Sequence, residues 1–109
     1  MTSKKRVRTT FRHKEPDRIP IFEQGIASNV ASEILGKDAD TGGSILRRNE
    51  AEARLNGEGD AFVSKVLEDI IKVNAELDLD VARLPWLLYI TPKKKLDGNT
   101  YYKDLEQNY

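Results

Sequence analysis

The chain has 109 residues, 39% hydrophobic and 33% charged, a composition for one small domain or part of a larger one and not for a disordered chain. Eighteen basic residues balance eighteen acidic ones, so net charge gives no general pull toward nucleic acid or an anionic membrane. The absence of cysteine excludes disulfides and thiolate metal sites, the single His13 cannot build a usual zinc site alone, and no apolar run approaches the roughly 20 residues that span a bilayer, so a cytoplasmic setting is the default expectation.

Charge is concentrated at the start: Lys4, Lys5, Arg6, Arg8, Arg12 and Lys14 precede the first acid. Such a segment can mimic a transit peptide or a nucleic-acid arm. Here it runs without a linker into an apolar stretch, which favours a solvated first helix. Thr2 or Ser3 can cap that helix from Lys4 to about His13, with Val7 and Phe11 on one face. Pro16 stops it, because proline disfavours helical geometry at Glu15 and has no N–H for the ladder.

Ile19 to Phe22 then reads as a strand. It is apolar on both faces, as a buried parallel strand is, and Pro20 sits near its start, where proline is tolerated. Ser28 is placed to cap a second helix with Val30, Ala31, Ile34 and Leu35 as its buried stripe and Gly36 as its C-cap. Residues 37–43 form a loop. Ser44 starts a third helix, ended at Asn56-Gly57. Asp60 caps the most strongly patterned helix, with Val63, Val66, Leu67, Ile70, Ile71 and Leu77 at i, i+3, i+4 spacing. Asp80 to Leu84 is a second strand closed by Pro85, residues 86–90 continue as extended chain, and residues 93–102 form a hairpin about Asp97-Gly98. Two strands separated by helices are expected to be parallel, but their apolar faces need more cover than this chain readily supplies.

Most motifs have bland explanations. Asp38-Ala39-Asp40-Thr41-Gly42-Gly43 starts like a calcium loop, but Gly42 and Asn49 stand where further oxygen ligands belong. The glycine pairs before helices lack the rest of a phosphate loop. Lys93, Lys94 and Lys95 beside Tyr101 and Tyr102 read as a charged edge hairpin rather than a nucleic-acid contact. His13 suits a helix C-terminus. The strand ends are more informative, since ligand sites in α/β folds form beyond the carboxyl ends of parallel strands. Gln24 follows the first strand; Arg83 and Trp86 end the second. Arg83 can grip a carboxylate and Trp86 can line an apolar pocket. Equally, Arg83 can pair with an acid of the last helix and Trp86 can be core.

The stretch TSKKRVRTTFRHKEPDRIPIFEQG is similar to the start of the uroporphyrinogen decarboxylase superfamily. The likeness is to its branch of corrinoid and coenzyme M methyltransferase-like proteins, which begin with an arginine-rich helix and His-x-Glu-Pro-Asp-Arg-(Ile/Val)-Pro. Here those residues are His13, Glu15, Pro16, Asp17, Arg18, Ile19 and Pro20. LDLDVARLPW and KKKLDGNTYY resemble the second-strand region and the hairpin after it. The resemblance implies an α/β fold, the N-terminal portion of a TIM (β/α)8 barrel in the order helix, strand, helices, strand, hairpin. Residues 1–109 would then be one incomplete domain, since such barrels take about 250 residues.

The resemblance also implies a parent enzyme, methyltransferase-like or carboxy-lyase-like, of which this stretch alone is inactive. It implies a small-molecule substrate, a corrinoid protein as partner, and zinc and a corrinoid held outside these residues. Gln24, Arg83 and Trp86 become substrate-binding groups at the rim, with the catalytic residues undefined. Decarboxylases of the family carry an Arg-Gln-Ala-Gly-Arg loop after the first strand; Glu23-Gln24-Gly25-Ile26-Ala27 keeps the Gln and Gly and lacks both arginines. No nucleic-acid or membrane partner is expected. The contrasting expectation is a free-standing small α/β binding module, without catalysis, that self-associates through an open sheet edge.

Overall fold

The computed structural model describes residues 1–96 and the backbone of residues 101–102. Its architecture is helical: α1 (Ser3–Phe11), α2 (Ser28–Leu35), α3 (Gly43–Leu55) and α4 (Gly59–Glu76). Thr2 caps α1, its hydroxyl accepting from the Lys5 amide at 3.2 Å. Gly36, in the left-handed region at φ 67°, ends α2, where only glycine turns without steric cost.

Ser28 does not cap α2; it lies within the first turn, and Ala27 holds the cap position. Its buried hydroxyl ties down the 37–42 loop instead. It accepts from the amides of Thr41 (3.0 Å) and Gly42 (3.2 Å) and donates to the Gly42 carbonyl (2.9 Å). The Thr41 hydroxyl donates to the Ile26 carbonyl at 2.7 Å. A Cβ at Gly42 would stand 2.8 Å from that same Ile26 oxygen. Gly42→Ala is therefore expected to cost about 1–3 kcal/mol, the usual penalty of overpacking against atoms that cannot move aside; an unchanged denaturation midpoint would show that the loop yields.

α4 is the centre of the packing. Phe62, Val66 and Ile70 meet Leu46 of α3 and Leu87, while Val73 meets Ala31 of α2 and Ala39. The buried stripe runs through 62, 66, 69, 70, 73 and 74. It is rotated from the predicted one: Leu67, Ile71 and Leu77 are exposed, and the acid Asp69 and the amide Asn74 are inside. The rotation has a polar cause. Asp69 is claimed by Lys37 (2.7 Å), Lys65 (2.8 Å) and the Asp40 amide (3.0 Å), and Asn74 donates to the Ile70 carbonyl (2.8 Å).

The barrel-type α/β expectation is overturned. The described residues are mostly helical, and no parallel sheet forms. Of the predicted strands at 19–22 and 80–84, a single parallel bridge remains, Phe22 with Val81. A buried parallel strand needs cover on both faces, yet Ile19 is 81% and Leu84 76% exposed. Ladder bonding is also pre-empted by a side chain. The Ile21 amide donates to the Asp80 carboxylate at 2.9 Å, and only the Asp80 amide returns a backbone bond to the Ile21 carbonyl, at 2.8 Å. With no parallel sheet among the described residues, the open edge of such a sheet that was expected to mediate self-association is absent there. The two short strands that do form, β1 (Lys94–Lys95) and β2 (Tyr101–Tyr102), pair antiparallel; the Asp97-Gly98 turn lies outside the described residues. The radius of gyration, 17.1 Å, exceeds the about 13 Å of a compact chain of this length.

Candidate functional site

A cleft of about 170 Å³ opens where the 23–26 and 83–86 segments pass the start of α3 and the C-terminal half of α4. Gln24, Arg83 and Trp86 all line it. Arg83 donates to the Gln24 carbonyl at 2.9 Å and ties the two segments together across the gap. It does not pair with an acid of α4, and Trp86, 72% exposed, is not core. Leu46, Ile70 and Val73 supply an apolar wall, and Gly42 and Gly43 bring the N-terminus of α3 to the opening.

Arg47 was not singled out by sequence, though it lines the same cleft and donates to the Trp86 carbonyl. The available signal was its spacing to Glu50. That acid is 2% exposed and organises the segment after the cleft. Its carboxylate accepts from the amides of Leu88 and Tyr89, both at 3.0 Å, and from Arg54 Nε at 3.0 Å, with Arg47 3.9 Å away. Arg54 also lies 5.0 Å from the centre of the Tyr89 ring, a cation–π distance. Tyr89 sits at φ 56°, a conformation that costs a non-glycine residue energy unless its surroundings fix it.

The residues that carry the resemblance form an ionic knot behind the cleft. Arg6, buried on α1, donates to Asp17 from Nε (2.7 Å) and to Asp80. Asp80, its side chain fully enclosed, also accepts from Ser3 (2.9 Å), Arg18 (3.0 Å) and the Ile21 amide (2.9 Å). Hydrogen bonds from Ile21, then from Ser3 and Arg6, outweigh burial and bring the Asp80 carboxyl down to about 2. The hydrogen bond from Arg6 holds the Asp17 carboxyl well below the carboxylate range, and its counterpart raises Arg6. Asp17 and Arg18 are thus structural. They tie α1 to both segments that reach the cleft.

A third polar group fixes the 37–42 loop. Burial alone would raise Asp69 and lower Lys65; their mutual hydrogen bond, with Lys37 and Asp40, reverses both shifts. Asp40 is taken by Lys65 (2.9 Å) and by Asn49 (2.6 Å), so the calcium-like loop is closed by protein groups. His13 is exposed at φ 58° beyond α1 and does not line the cleft. Lys95 pairs with Glu52 at 3.1 Å. Among the described residues no three His, Asp or Glu side chains gather to hold a metal, and no helix is long and apolar enough to cross a membrane. Compared with family models, characterised proteins and solved structures, the chain matches none.

Proposed function

We propose that the chain supplies a substrate-positioning face to an enzyme similar to the uroporphyrinogen decarboxylase superfamily, methyltransferase-like before decarboxylase-like. The supporting observation is that Gln24, Arg83 and Trp86, which lie far apart in sequence, line one cleft. A guanidinium, an amide and an indole over an apolar wall orient a small molecule; none is a nucleophile or a proton-transfer group near neutral pH. Their role is binding and orientation, with the chemistry supplied by other groups. The missing arginines of the Glu23–Ala27 loop favour methyl transfer over decarboxylation. Zinc does not fit the described residues, which offer no thiolate and no metal-ligating cluster. Zinc and a corrinoid protein therefore enter the proposal as contributions from outside this chain, with a cytoplasmic setting.

The test is the loss of methylcobalamin absorbance with a thiol acceptor, run beside carbon dioxide release from a carboxylated substrate, on protein from its native source. Arg83→Ala is expected to raise KM or lower turnover about tenfold or more, as loss of a charged contact does. Activity indifferent to Arg83, or none in either assay, removes the reading.

A second reading has its own support. Ile19, Phe22, Leu84 and Trp86 are large apolar side chains exposed on extended segments, and exposed apolar patches mark interaction sites. A non-catalytic binding module that associates through these segments accounts for them. Sedimentation equilibrium separates the two: a concentration-dependent dimer lost in Phe22→Asp favours association, and a monomer throughout removes it.

A further inference from the structure

We infer that the cleft takes a small ligand with an apolar body and a single oxyanion group, a carboxylate or a phosphate, held between Arg47 and Arg83 at the N-terminus of α3. The inference rests on the substrate-positioning reading and adds the ligand's charge, its size and Arg47 as a contact. Charge is the first ground. Arg83 gives one N–H to a neutral carbonyl and has no acidic partner among the described residues. Arg47 likewise donates to a carbonyl, that of Trp86. Its nearest acid, Glu50, is 3.9 Å off and already taken by Arg54 and two amides. Against these two guanidiniums the lining carries one acid, Glu23.

Backbone polarity adds to side-chain charge. α3 starts at Gly43 without a side-chain cap, and Gly42 and Gly43 line the opening. Its first amides and the positive end of its dipole thus face the same space as the arginines. The apolar part of the lining, Leu46, Ile70 and Val73, has nothing to offer a second charge. Size is the second ground. A cleft of about 170 Å³ falls below the about 300–1,000 Å³ of sites for drug-sized ligands. A single ring or short chain with one charged end fits.

Trp86, the chain's one tryptophan, gives the readout. Benzoate, phenyl phosphate and neutral benzamide are titrated against the indole N–H resonance in a nitrogen–proton correlation spectrum. Benzoate or phenyl phosphate is expected to bind at least about tenfold more tightly than benzamide, the weight of one charge-assisted contact; which of the two leads tells carboxylate from phosphate. Arg47→Gln should remove that preference with benzamide unaffected, and Arg47→Lys should keep part of it. Equal binding of all three overturns the inference and leaves the cleft reading intact. An Arg47→Gln loss that is the same for benzamide also overturns it, by making Arg47 merely structural. A resonance that no ligand moves removes both.

Discussion

Glu50→Ala is expected to destabilise the chain by about 3–5 kcal/mol, the range for removing one partner of a buried ion pair. Two costs combine. The Leu88 and Tyr89 amides lose their acceptor, and Arg54, largely buried with an Nη2 that already lacks a partner, loses its counter-charge. The apolar anchoring of the 86–90 segment cannot compensate, because Leu87 is its one member of the core cluster. Tyr89 would leave the left-handed region once its amide is released, since those bonds and the Arg54 contact are what fix it there. Denaturant titration should show the fall in midpoint, and limited proteolysis should open a new cut between 86 and 92. Glu50→Gln keeps the shape and one acceptor but not the charge, so a smaller loss is expected. A Glu50→Ala midpoint within about 1 kcal/mol of the parent would mean that the segment is held by something else.

Local signals were legible where the backbone itself is the physics. The Thr2 cap, the Gly36 stop of α2 and the Asn56 end of α3 follow from short-range rules and stand at or near their predicted positions. What failed was the step from apolar runs to a sheet. The rule that an apolar run with both faces hydrophobic is a buried parallel strand presumes cover, and Ile19, Ile21 and Phe22 are exposed. It also takes no account of Asp80, whose carboxylate occupies the Ile21 amide that a neighbouring strand would use. The buried acids were missed for a related reason. Periodicity counts Glu50 and Asp69 as solvent-facing, whereas each is enclosed by cations and amides that sequence distance conceals, such as Lys37 for Asp69. The i, i+4 pairs Glu50–Arg54 and Lys65–Asp69 were the only local traces, and exposed helices carry such pairs as often. For the site, strand-end reasoning brought Gln24, Arg83 and Trp86 together although the sheet that motivated it is absent. The Pro85 break and the bend at Gln24 place them at the ends of extended segments with or without a ladder. Arg47, inside a helix, had no such marker.

Asp80→Asn is expected to lower Tm by about 10 °C or more near neutral pH, and to remove the Asp80 share of the acid dependence of the parent. Asp80 takes hydrogen bonds from Ser3, Arg6, Arg18 and the Ile21 amide. Half of an asparagine amide is a donor, which would face donors and meet two guanidiniums with no charge to offer. The sign of the pH effect follows from the carboxyl standing at about 2 in the fold against its ordinary 3.8. Between those values the unfolded chain binds the proton more readily, so stability is fully present above about pH 4 and drains away as pH falls toward about 2. Asp17, shifted the same way by Arg6, extends the decline further into acid. The parent Tm should therefore be level from neutral pH to about 4.5 and fall steeply below. The Asp80→Asn curve should start lower, run flatter and approach the parent near pH 2, where the parent's own carboxyl is becoming neutral. Parallel curves would place the acid sensitivity elsewhere, with Asp17 the next group to test. Because Arg18 and Ile21 lead directly to Gln24, convergence of the melting curves should be matched by loss of the Trp86 indole shift with phenyl phosphate, which unlike benzoate keeps a negative charge through the same pH window. The knot that the Glu-Pro-Asp-Arg-Ile-Pro stretch builds would then be what keeps the cleft in shape, without touching its occupant.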